Sequence, residues 1–129
     1  MSMKYLLMAT TVIEAGAGVA LLGFPSAMVK LLLSSQFDAP PSMTLVRMIG
    51  AVLIALGIAC WLASRDTRKP CAKRTVIVMT AYNPCAALAL GVVGMRVLSA
   101  GILLWPAVAL HAAMGVWCIV CLKKNPLSV

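Results

Sequence analysis

Acidic residues are scarce in this chain of 129 residues. Three Asp and Glu stand against eleven Lys and Arg, and charges of both signs make up only 11% of the sequence. Soluble domains draw about a quarter of their residues from the charged set, so this composition cannot clothe a water-soluble fold. No phosphate-binding loop, nucleophile triad or zinc motif occurs, and the one C-x-x-C has neither a second copy nor a following histidine. A non-enzymatic protein without cofactor or bound metal is expected. The basic residues form short clusters between apolar runs with no interleaved aromatics, which argues against nucleic acid as a partner.

Apolar residues fill the space that charge leaves empty. They amount to 63% of the chain, more than one small domain can bury without large exposed patches. Lipid is the natural solvent for such a surface. A spanning helix needs about 20 apolar residues to cross a ~30 Å hydrocarbon core. Four stretches qualify, near 5–24, 43–63, 75–95 and 101–121. The first follows one lysine, as in a signal peptide, but it outlasts a signal core and reads as a retained helix. The expected fold class is therefore all-α, an integral membrane four-helix bundle forming a single domain. After Pro25, "SAMVKLLLSSQ" reads as a short amphipathic helix over about 26–35 that lies at the interface, and "FDAPPS" reads as a loop. The link near Arg96–Ala100 is tight, so the last two spans should form an antiparallel hairpin.

Charge sets the orientation. With four spans, one side collects Lys4, Arg65, Arg68, Lys69, Lys73, Arg74, Lys123 and Lys124, whereas the other has Lys30, Arg47 and Arg96. Basic residues accumulate on the cytoplasmic side, so both termini are expected there, with Arg65 to Arg74 and Lys123–Lys124 touching lipid headgroups. Tyr5, Trp61 and Trp117 fall near that interface and Trp105 near the opposite one, as an anchoring belt would. Glycines recur through all four spans, and close backbone contact at small residues is what drives helix association in lipid.

Polar side chains inside the spans are few and fall at one depth. Glu14 lies ~15 Å beyond Lys4, Asn83 ~14 Å beyond Arg74 and His111 ~18 Å before Lys123, by helix rise. A charge at the bilayer centre costs about 2.5 to 3.5 kcal/mol on insertion scales, so these groups are expected to meet in a mid-membrane polar layer. Thr10 and Gly18 flank Glu14 on its helix face, and Ala107 and Gly115 flank His111. Arg47 is a further candidate member. It stands ~27 Å above Arg65, from where its side chain can snorkel outward or reach Glu14 through water. The layer either handles protons, a cation or a polar ligand, or locks the helices by hydrogen bonds worth about 0.6 to 2 kcal/mol each.

Cys118 and Cys121 form "WCIVC" at the basic end of the fourth span, with Cys71 as the most accessible third thiol. Such a group can hold a soft metal or cycle as a dithiol, but buried cysteines are also ordinary small apolar residues. A structural disulfide is not expected on the reducing side of a membrane. Pro84 and Pro106 should interrupt the third and fourth spans, since each removes a backbone donor.

"IEAGAGVALLGFPSAMVKLLL", "VRMIGAVLIALGIACWLA", "AYN" and "GILLWPAVALHAA" together resemble a group of small four-span bacterial inner-membrane proteins that is broadly DoxX-like. That resemblance implies a four-helix membrane fold and the bacterial inner membrane, and it brings no catalytic residue. Proteins of this type are linked to redox complexes and thiol homeostasis, which implies an accessory subunit or a thiol protein. The chain is also similar to small multidrug transporters, which have four short helices and a key acid in the first, where Glu14 stands. It departs from them in its one-way charge bias, its prolines in the last two spans and its lack of an aromatic cage. The leading expectation is an accessory or assembly subunit of a larger membrane complex, with the lipid bilayer and other membrane subunits or a second copy as partners. The alternatives are a proton-coupled transporter of small molecules or cations using Glu14, and a thiol, redox or soft-metal protein using Cys118 and Cys121.

Overall fold

A computed structural model describes residues 3–34, 40–68, 70–96 and 100–124. They form five helices: α1 (Met3–Gly23), α2 (Pro25–Leu33), α3 (Pro40–Arg65), α4 (Pro70–Arg96) and α5 (Leu104–Lys124). Four of them, all but α2, are long and apolar enough to cross a bilayer. The all-α four-helix architecture read from the hydropathy pattern is the observed one, and the protein is a multi-pass membrane protein.

The helix starts are set by proline. Pro25, Pro40 and Pro70 each open a helix, where the missing N–H would lack a partner in any case and the fixed φ already suits the turn. This corrects three boundaries. The "PPS" end of the expected loop is already α3. The basic loop between the second and third spans shrinks to the turn after Arg65, closed by the Arg68 backbone N–H donating to Asp66 Oδ1 at 3.2 Å. Pro106 does not interrupt its helix: α5 begins at Leu104, so Pro106 lies in the first turn. Pro84 does lie inside α4, which continues through it as one helix.

The bundle consists of two antiparallel pairs. In the first, α1 and α3 cross at glycine. A Cβ added to Gly18 would meet the Gly50 carbonyl oxygen at 2.6 Å, and one added to Gly57 would meet Ala15 at 3.0 Å. Near the basic end the Ser64 hydroxyl reaches Met8 Sδ at 3.3 Å and donates to the Trp61 carbonyl at 2.7 Å. Residue numbers rise along one helix as they fall along the other, which defines the antiparallel register. In the second pair Gly94 abuts Leu104 and Gly115 abuts Pro84, so α4 and α5 form the antiparallel hairpin.

The side-chain core occupies the basic half of the bundle. Leu6 and Leu7 of α1, Cys60 of α3, Val76 and Met79 of α4, and Cys118 of α5 belong to one buried cluster. At the opposite end the pairs are stitched through α2. Its last carbonyls, Leu31 and Leu32, accept hydrogen bonds from the N–H groups of Leu103 (3.0 Å) and Gly101 (2.9 Å). Helix-end carbonyls need such partners, most of all where water is scarce. The backbone of Leu31 presses so closely on Gly101 that no Cβ fits there. Ser34 ends α2 with φ 50°, its N–H bonded to the Lys30 carbonyl. Left-handed backbone costs a non-glycine residue about 1 kcal/mol, and here it closes the helix.

A buried polar quartet at the centre of the bundle

Above the apolar core, four polar side chains from three helices meet. Glu14 of α1 is 3% exposed and Asn83 of α4 is 1% exposed, so neither is available to lipid or water. Tyr82 and His111 are half-buried beside them. The Tyr82 hydroxyl donates to Glu14 Oε2 at 3.0 Å. His111 Nδ1 and Asn83 Oδ1 lie 3.0 Å apart. The Tyr82 and His111 rings pack edge to face, 5.7 Å between centroids and 84° between planes. One continuous set of contacts thus runs from α1 through α4 to α5.

The hydrogen-bond directions follow from donor chemistry. Asn83 Nδ2 donates to the Met79 carbonyl of its own helix at 3.0 Å, which turns Oδ1 toward His111. An amide oxygen only accepts, so Nδ1 of His111 carries the proton. Its Nε2 takes no hydrogen-bond partner among the described residues. The one fully buried side-chain nitrogen or oxygen without a partner among the described residues is Nε1 of Trp117. The imidazole therefore uses one nitrogen to hold α4 and leaves the other without a hydrogen bond among the described residues. Glu14 forms no ion pair among the described residues, and the phenol of Tyr82 is the group that holds it.

Threonines beside the quartet are satisfied within their own helices. Thr10 donates to the Leu6 carbonyl at 3.0 Å, Thr11 to Leu7 at 2.8 Å and Thr80 to Val76 at 2.8 Å. This back-bonding is how a hydroxyl is tolerated inside a helix.

The other candidate residues lie elsewhere. Arg47 is exposed on α3 and takes no part in the quartet. Cys118 and Cys121 are both fully buried in the core, whereas Cys71 is exposed at the start of α4, so the three thiols are not brought together. All five cysteines are free, and no group of three or more His, Cys, Asp or Glu among the described residues could hold a metal ion. Arg65, Arg68, Arg74, Lys123 and Lys124 are exposed and Lys73 is half-buried, all at one end of the bundle. Lys69 is outside the described residues. Trp117 departs from the anchoring role expected of it: it packs against the core with Nε1 enclosed, while Tyr5, Trp61 and Trp105 are exposed.

Tyr82 is the member that sequence reasoning passed over. The signal for it was present: a phenol next to Asn83, at mid-span depth, needs a partner for its hydroxyl. Depth alone placed Glu14, Asn83 and His111 at one level, but it could not show that Tyr82 bridges the first helix to the other two.

The chain matches no model of a known protein family, no curated protein and no solved structure.

Proposed function

We propose that this protein is a non-catalytic, multi-pass component of the bacterial inner membrane that packs against a larger membrane complex and helps to assemble it. The observation that carries this reading is that His111, half-buried inside an apolar span, leaves Nε2 without a hydrogen-bond partner among the described residues. Lipid cannot satisfy a polar nitrogen in the hydrocarbon region, but a helix of a neighbouring membrane protein can, with a hydroxyl or amide donor. The rest of the quartet supports the same reading. Glu14 and Asn83 are enclosed and spent on hydrogen bonds that tie α1 to α4 and α4 to α5, as a packing lock requires. The charge bias supports cytoplasmic termini, since Arg65, Arg68, Arg74 and Lys123 gather at one end of the bundle.

The test is gentle detergent extraction of the tagged protein. A stable heteromeric assembly of fixed stoichiometry is expected, and His111→Leu should lower recovery of its partners several-fold while leaving the helical content intact. Recovery only as a monomer or homodimer would remove the proposal.

A further inference from the structure

At the basic end an open cleft of about 390 Å3 lies between the end of α3 and the first turns of α4. Its apolar wall is Ala59, Leu62 and Ala63 of α3. Its mouth is Arg65 and Asp66 from the end of α3 and Cys71 from the first turn of α4. Ala59 lies six residues before Arg65, hence ~9 Å deeper along the helix, and both Ala59 and Leu62 are open to the membrane side. On the α4 side Thr75 lies one turn below Cys71 with its hydroxyl spent on the Cys71 carbonyl at 3.0 Å, so the cleft offers a mainly apolar wall below and the Arg65 cation, beside Asp66, above.

The mouth is organised to meet an anion. The Arg65 guanidinium sits over the Trp61 ring at 5.1 Å, which restrains a long side chain beside the opening. Asp66 is the acid in the turn, and its carboxylate already accepts from the Arg68 backbone N–H. Arg65 and Asp66 offset each other in the lining, and the exposed Arg68 in the turn and Arg74 in the second turn of α4 make this end of the molecule positive. We propose that this cleft binds one anionic phospholipid, its acyl chain along Ala59 and Leu62 and its phosphate on Arg65. A soluble anion would have no use for the apolar wall, and a zwitterionic lipid would gain less from the cation. Basic pockets between helices on the cytoplasmic face are suited to such headgroups. The inference concerns a different end of the molecule from the quartet and does not depend on the assembly role proposed above.

Trp61 makes the site directly readable. In a Trp105→Phe, Trp117→Phe background it is the one remaining indole; the Trp117 replacement loses no hydrogen bond, because Nε1 has none. The full chain is reconstituted in phosphatidylcholine vesicles with equal mole fractions of either chain-brominated phosphatidylglycerol or chain-brominated phosphatidylcholine. Quenching is taken relative to unbrominated lipid for each variant. An apparent preference for phosphatidylglycerol of about fivefold is expected, the size that one basic side chain confers at an anionic surface. Arg65→Gln should bring it to about one, and so should Ala59→Phe, which fills the wall and keeps the charge. Lys123→Gln with Lys124→Gln, at the same end but outside the cleft, should leave it unchanged. Equal quenching by the two lipids overturns the proposal. So does a preference that survives Arg65→Gln and Ala59→Phe, or one that the α5 lysine pair removes equally, because each describes a charged surface rather than a site.

Discussion

Glu14 is tolerated in the middle of an apolar helix because Tyr82 answers it. A buried group whose partner is removed costs about 1 to 3 kcal/mol in water-soluble proteins, and interhelical bonds in membranes average nearer 0.6 kcal/mol. Tyr82→Phe should therefore destabilise the bundle by about 1 kcal/mol in denaturant unfolding from detergent. Glu14→Gln should cost less, because the amide oxygen can still accept from the phenol. In a cycle of Tyr82→Phe with Glu14→Ala, which removes the acceptor, the two costs should not add, and strict additivity would show that the bond is absent. If the protein instead moved protons through Glu14, Glu14→Gln would abolish proton-linked flux while leaving stability nearly intact, so the same variant separates the two roles. At this scale the sequence was partly legible. A lone acid, amide and imidazole in lipid announce themselves, but which of them touch is decided by side-chain direction, and hydropathy carries none.

Among the elements, the α1–α3 pair is the most tightly specified, and glycine specifies it. At Gly18 an added Cβ would strike the Gly50 carbonyl and the Ile54 backbone nitrogen at 2.9 Å or less, whereas at Gly16 nothing lies within 4 Å. Gly18→Ala should force the helices apart and lower stability by about 1 to 3 kcal/mol, as overpacking does. Gly16→Ala, two residues away, should be neutral or stabilising by about 0.5 to 1 kcal/mol, because alanine restricts the unfolded chain. Thermal unfolding in detergent checks both, and similar effects at the two positions would refute this packing. The glycine content was visible in the sequence as a general signal for close helices. Which glycines do the packing was not, because small residues line outward faces as readily as inward ones. Proline misled in the same way: Pro106 reads as a kink until the helix start at Leu104 is known.

At the scale of the whole molecule, two antiparallel pairs are held together by the quartet at mid-depth, by the apolar core at the basic end and by the α2 stitch at the other. The thiols report this layout. Cys60, Cys118 and Cys121 are buried, and Cys71 is exposed beside Arg65 in the turn region. Cys85 is exposed as well, but it directly follows the mid-span Asn83 and Pro84, where lipid covers it. A membrane-impermeant maleimide should therefore modify Cys71 alone in intact bilayers, and only from the side of the basic cluster. On the orientation proposed above, labelling should appear in inverted inner-membrane vesicles and not in spheroplasts. Labelling in spheroplasts would reverse the topology.

Composition and the spacing of apolar runs by themselves determined that this chain is helical, spans a membrane with four helices and carries a depth-matched set of polar groups. Those properties follow from the energy of moving residues between water and hydrocarbon, which acts on each segment separately. Tertiary structure alone decided that Tyr82 bridges Glu14 to the Asn83–His111 pair, that Gly18 rather than Gly16 seats α3, and that Arg65 stands at the mouth of a cleft. Each depends on the rotation of one helix about its axis relative to another, and that rotation is set by side-chain shape and hydrogen-bond direction, which exist only once the helices have met.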